Sequence, residues 1–271
     1  MAVLLKISLV PVVVWLASVA GRRWGHSVSG WISGHPLIAG PISVFLAHDP
    51  GPAFAASSAT TTLQVTGAAA LHCWAYAWAA RRFNWLASLL IAWAAFVVAA
   101  LALGAVPLPP LGGFALALAT LALLLATLPR VPPASGPVHI PGMELAVRIA
   151  AAAALAAAVM LGASVLGPRL SGILLAFPIT GSVLPVFTRA LYGADATARL
   201  LAGFVSGLFA FAVFHFAVAV SLEALGPAAG YALAVVAALA ATGVVMRARR
   251  TAWLRRERRE RRERREGRMP Q

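Results

Sequence analysis

Two histidines lie inside long apolar stretches, His72 within 54–80 and His215 within 198–222. An ionisable side chain in hydrocarbon is costly, so a residue kept there is a functional candidate by default. Aligning Gly67 with Gly207 puts His215 one turn past the counterpart of His72. With those glycines at mid-depth, each imidazole lies roughly 7–12 Å from the centre at ~1.5 Å per residue, on opposite sides. A proton relay is one use for such a pair. A neutral ring bonded to a neighbouring helix is the other.

A second constellation is written twice. "SVSGWISGHPLIAGPISVF" (27–45) and "RLSGILLAFPITGSVLPVF" (169–187) align at a constant offset of 142, which pairs Ser29 with Ser171, Gly30 with Gly172 and Pro36 with Pro178. Proline has no N–H and clashes with the carbonyl four residues back. Pro36 and Pro178 should therefore free the carbonyls of Ile32 and Leu174, and Pro185 that of Gly181. Unpaired backbone within a membrane is tolerated only against protein or a watery cavity. The candidate solute path is thus Ser29, Gly30, Pro36, Gly40, Ser171, Gly172, Pro178, Thr180, Gly181 and Ser182. Its hydroxyls and carbonyls would line the path, and its glycines would let backbones approach or unwind. The same residues also describe packing kinks, with hydroxyls bonded across helices. A serine hydrolase with a histidine base fits less well, because both halves carry the Ser-Gly pair and a nucleophile is needed once. Metal-ligand spacing, a phosphate loop and an HExxH pattern are missing from the sequence. No enzyme activity, cofactor or metal is expected.

The elements that must position these residues are helices in a bilayer. The chain is 61% hydrophobic and 11% charged, and Asn84 to Leu128 carries no charge. That run exceeds the roughly 20 apolar residues of one crossing. A β-barrel would show alternating segments of about 10 residues, and none is seen. Apolar segments fall at 2–20, 31–48, 54–80, 85–105, 111–128, 146–166, 172–191, 198–222 and 227–246. The expected fold is an all-α polytopic membrane protein of about nine transmembrane helices. Residues 1–105 form a first membrane repeat, 106–142 a linking helix and cytoplasmic loop, 143–246 a second repeat, and 247–271 an Arg-rich cytoplasmic tail. Spans one to four pair with spans six to nine, so five crossings separate equivalent points and the repeats are inverted. "ASVAG" after the first span resembles a signal-peptide cleavage site. However, Arg22 and Arg23 follow that span rather than precede it, and Lys6 matches Arg148 at the same offset.

Charge sets the expected orientation. Of the net +14, residues 247–271 supply +8, from twelve arginines and four glutamates. Short basic loops and a basic tail follow the positive-inside rule rather than mark nucleic-acid binding. The C-terminus is placed in the cytoplasm of a bacterial inner membrane and the N-terminus outside. Arg22, Arg23, Arg81, Arg82, Arg130, Arg189 and Arg199 then fall in inner loops, and Arg169 is the exception. Arg255, Arg256, Arg258 and Arg259 are candidates for contact with anionic lipid head groups. Cys73 is the single cysteine, so no intrachain disulfide forms. A homo-oligomer is left open.

"LSGILLAFPITGSVLPVF", preceded by "MELAVRIAAAAALAAAVML", resembles the GlpM-like family of small four-span bacterial inner-membrane proteins. Residues 143–246 cover one such unit, and 1–105 cover a second, in which "SGHPLIAGP" replaces "LAFPITGSV". The resemblance implies a fused duplication and supplies no catalytic residues. The functional expectation is a small-solute permease or exporter with an unidentified solute. The alternative is a non-transporting protein that organises lipids or assists a membrane complex.

Overall fold

A computed structural model describes residues 2–132, 142–163 and 167–266, with side chains over 11–132, 143, 145–154 and 167–247. The described residues form helices and no strand. In order they are α1 (Ala2–Trp24), α2 (His26–Ser33), α3 (Ala39–His48), α4 (Pro52–Gln64), α5 (Thr66–Ala79), α6 (Trp85–Ala105), α7 (Pro110–Thr127), α8 (Gly142–Ala163) and α9 (Pro168–Leu175). The last stretch, Ile179–Glu266, leaves helical geometry at Gly193 (φ 82°, ψ −176°) and Gly226 (φ 76°, ψ 168°). Those glycines divide it into α10 (179–192), α11 (194–225) and α12 (227–266).

Local chemistry explains several boundaries. The Asn84 side chain accepts from the Ala87 N–H at 2.9 Å, which caps the start of α6. Gln64, at the end of α4, donates to the Leu103 and Val106 carbonyls at the end of α6. Arg189 donates through Nε to the Ala80 carbonyl (2.7 Å) and through Nη2 to the Phe83 carbonyl (3.0 Å) just past α5. A cation there meets the negative end of the helix. The expected single span over 54–80 is divided at Val65 (φ −92°, ψ 6°), between α4 and α5.

The boundaries recur at the offset read from the sequence. α2 (26–33) and α9 (168–175) begin and end in register at that offset. Pro52, which opens α4, matches 194 at the start of α11, and Trp85, which opens α6, matches 227 at the start of α12. The loop glycine before the first of these starts matches too: Gly51 (φ 135°) and Gly193 (φ 82°) both take positive φ, which a residue with a Cβ rarely adopts. α7 has no counterpart at that offset.

Among the described residues three helical stretches are long and apolar enough to cross a membrane: Trp85–Ala105, Pro110–Thr127 and the glycine-broken Pro168–Arg247. Their outer faces are apolar, with Val98 70% exposed on α6, Leu111 69% on α7 and Val244 66% on α12. Water would penalise so much contiguous apolar surface, and lipid does not. The chain is an α-helical membrane protein. Its largest core joins α4, α5, α6, α7 and α11 through Leu63, Tyr76, Phe96, Leu121, Leu201 and Phe204. A second core joins α3, α4, α11 and α12, and a third joins α1, α8 and α10.

Candidate functional site at the paired helix breaks

The repeated proline segments are two copies of one backbone break. In the first, Gly34 N–H bonds the Gly30 carbonyl (3.0 Å) and His35 N–H the Ile32 carbonyl (3.2 Å). Leu37 N–H then bonds the His35 carbonyl (2.8 Å) and Gly40 N–H the Pro36 carbonyl (2.8 Å). In the second, Ala176 bonds Gly172 (3.2 Å), Phe177 bonds Leu174 (3.1 Å), Ile179 bonds Phe177 (2.9 Å) and Ser182 bonds Pro178 (2.8 Å). Each of these four bonds of the first break has its partner in the second at the sequence offset. Pro36 and Pro178 are thus the middle residues of three-residue turns, a place suited to a fixed negative φ. Two short helices meet at each turn.

This corrects the expected role of the prolines. They do not kink a continuous helix, and the Ile32 and Leu174 carbonyls are not left open, because a tightened last turn satisfies both. The Gly181 carbonyl, opposite Pro185, accepts a bond from His72 Nε2 at 3.2 Å.

The candidate residues are brought together at two close crossings. A Cβ on Gly30 would run into the Leu200 carbonyl and meet the Phe204 amide nitrogen. A Cβ on Gly172 would lie 2.5 Å from the Ser58 carbonyl oxygen and 3.1 Å from the Thr62 amide nitrogen. Leu200 and Phe204 are the offset counterparts of Ser58 and Thr62, so the crossing α2 on α11 is repeated as α9 on α4. Thr62 Oγ1 also donates to the Gly172 carbonyl (3.0 Å). The two breaks then touch each other, with Thr180 Oγ1 donating to the Ser33 carbonyl at 3.3 Å. Ser33 Oγ donates to the Ser29 carbonyl (2.9 Å), and Trp93 Nε1 donates to Ser182 Oγ (2.9 Å). Gly40 faces the Phe214 ring, Gly181 faces Pro178 and Phe204, and Ser171 is buried.

The two histidines are separately placed. His72 is fully buried beside Tyr76 and bonds across to α10. His215 is fully buried and donates from Nδ1 to the Phe211 carbonyl of its own helix at 2.9 Å, between the Phe211 and Phe214 rings. The structural offset matches Gly207 with Val65 rather than with Gly67, which here faces Thr120. The tail candidates Arg255, Arg256, Arg258 and Arg259 continue α12, and their side chains lie outside the described residues.

Sequence reasoning passed over His35 and Trp93 as site residues. His35 Nδ1 donates to the Trp31 carbonyl (2.8 Å), so Nε2 accepts from Thr242 Oγ1 on α12 (2.9 Å). Its position just before Pro36, inside the quoted repeat, was the available signal. At the matching place in the second break stands Phe177, which packs on Trp93 and Phe96. Among the described residues no group of three or more His, Cys, Asp and Glu could hold a metal ion. Compared with known proteins, the chain matches no family model, no curated protein and no solved structure.

Proposed function

We propose that this chain is a small-solute permease or exporter of the bacterial inner membrane, built as two inverted four-helix repeats joined by α7. The observation that carries the reading is the doubled break: the same four backbone bonds, at the same offset, in two segments that touch through Thr180 and Ser33. Broken helices that meet between inverted repeats are a recurrent transporter layout, with the site between them. In this reading the broken spans are α2–α3 and α9–α10, and α4–α5 act as one bent span. Nine crossings then separate an outer N-terminus from a cytoplasmic tail. The exposed Trp24, Trp78 and Trp85 beside Arg22, Arg23, Arg81 and Arg82 support a common inner face, since tryptophan collects at the membrane interface. The likeness of 143–246 to a GlpM-like unit belongs to the same proposal, as does lipid contact by the tail arginines.

The tight glycine crossings fit a state closed at mid-membrane, with transport by movement of one repeat against the other. A second reading has its own support. The hydroxyls of Ser33, Thr180 and Ser182 are already bonded within the protein, as in a structural core that organises lipid or a partner complex. Two measurements test the proposal. Reporter fusions after residues 50 and 107 should report periplasmic, and those after 82 and 271 cytoplasmic; a cytoplasmic result at 107 removes the inverted relation. Metabolite levels in deletion and overexpression strains should then nominate solutes for uptake into proteoliposomes. Purified protein that moves none of the responding metabolites sends the reading to the structural alternative.

A further inference from the structure

Outside the breaks, a group of polar side chains is gathered where α1 ends. Ser18 and Arg22 lie one turn apart on α1, so they share a face. Ser18 is fully buried, and its Oγ has no hydrogen-bond partner among the described residues. Arg22 Nε and Nη2 are shut from water, with no acceptor among the described residues. α1 packs there on α8 and α10 through Val14, Ala17 and Ala152. From α8 comes Arg148, 2% exposed, its guanidinium 5.4 Å from the Phe187 ring centre. At the start of α2, His26 is buried against Tyr192 at 4.9 Å, and the charges of Arg148 and Arg199 both bear on it. α2 opens at His26 without a side-chain cap.

A guanidinium with two buried donors and no acceptor is expensive, more so than a neutral group. The donors are of a kind that suits one ligand chemistry. Arginine presents a planar fork that matches phosphate oxygens, a hydroxyl adds a further donor, and the first amides of a helix favour an anion.

We propose that Ser18, Arg22, His26 and Arg148 form a binding site for a phosphate-class oxyanion, carried by a phospholipid head group or free in solution. The proposal does not depend on the transport reading. A protein that transports nothing would still bind the oxyanion.

The test uses the full chain purified in neutral detergent. Its unfolding temperature is followed against inorganic phosphate, with ionic strength held by chloride. In parallel it is followed against phosphatidylglycerol in mixed micelles, with phosphatidylcholine as the comparison. A ligand that binds the folded state raises the unfolding temperature saturably. Saturable stabilisation by phosphate marks a free oxyanion, and by phosphatidylglycerol alone a head-group site; either supports the proposal. Arg22→Gln should raise the half-saturating concentration at least tenfold, whereas Arg81→Gln should leave it within twofold. Should Arg22→Gln not fold, Arg22→Lys keeps the charge, loses the fork and should still weaken binding several-fold. No saturable effect from either ligand in the wild type overturns the proposal. So does an equal loss in Arg81→Gln, or an unchanged response in the folded Arg22 variant.

Discussion

Gly172→Ala places one methyl group where α9 crosses α4. The new Cβ would lie 2.5 Å from the Ser58 carbonyl oxygen and 2.7 Å from the Thr61 Cβ. Carbon–oxygen contacts settle near about 3.3 Å, so the helices must part by roughly 0.8 Å. The atom in the way is backbone, which cannot swing aside. Overpacking of this kind costs about 1–3 kcal/mol. Parting also stretches the 3.0 Å bond from Thr62 Oγ1 to the Gly172 carbonyl, whose net worth is about 1 kcal/mol. The expected loss is about 2–4 kcal/mol, read as a shift in the denaturant midpoint of detergent-purified protein. Gly30→Ala should behave the same way or worse, because its Cβ meets the Leu200 carbonyl more closely. Gly243→Ala is the control: no atom lies within 4 Å of its Cβ, and helix propensity favours alanine by about 1 kcal/mol. If Gly172→Ala unfolds at the midpoint of Gly243→Ala, the crossing is not close, and the argument from doubled contacts fails with it.

Three other outcomes are expected. His72→Phe should cost about 1–3 kcal/mol by leaving the buried Gly181 carbonyl without its donor; His215→Phe should cost less, since its bond returns to its own helix, and chemical denaturation of both variants gives the order. Arg189→Gln should lower stability by about 1.5–3 kcal/mol through loss of charge-assisted bonds to the Ala80 and Phe83 carbonyls, visible as faster amide exchange at the end of α5. Pro36→Ala and Pro178→Ala should each cost about 0.4–1 kcal/mol by loosening the unfolded chain, with no gain of helix by circular dichroism. A measurable rise in helicity would mean that the prolines do break a continuous helix.

Much of this architecture was legible because it is written in residues that act locally. Gly30, Gly172, Pro36 and Pro178 fixed the offset, and four backbone bonds of each break follow it. The expected span 85–105 coincides with α6, whose start the Asn84 side chain caps. What stayed hidden depends on packing between distant elements. The repeated prolines read as kinks, because sequence alone does not show that the chain changes direction at a three-residue turn. His72 read first as a ring bonded to a neighbouring helix and second as a relay, but its acceptor, the Gly181 carbonyl on α10, is not visible in the sequence. Gly67 and Gly207 look alike in sequence, yet one faces a threonine side chain and the other the backbone of Trp31 and Gly34. His35 was missed because its partner, Thr242, is far along the chain on α12.

The unequal filling of the two breaks has a mechanical consequence. In the second, Phe177 is wedged between Trp93 and Phe96, with ring centres 6.2 and 5.2 Å away. Separating those rings would cost both aromatic contact and apolar burial. In the first, His35 reaches α12 by a polar bond to Thr242, beside the Ser43–Tyr231 bond from α3 to the same helix, and water can replace such bonds at little cost. If the two breaks part from their neighbours, the aromatic one is therefore the costlier to separate in water-free surroundings, and the polar one is the one that water can enter.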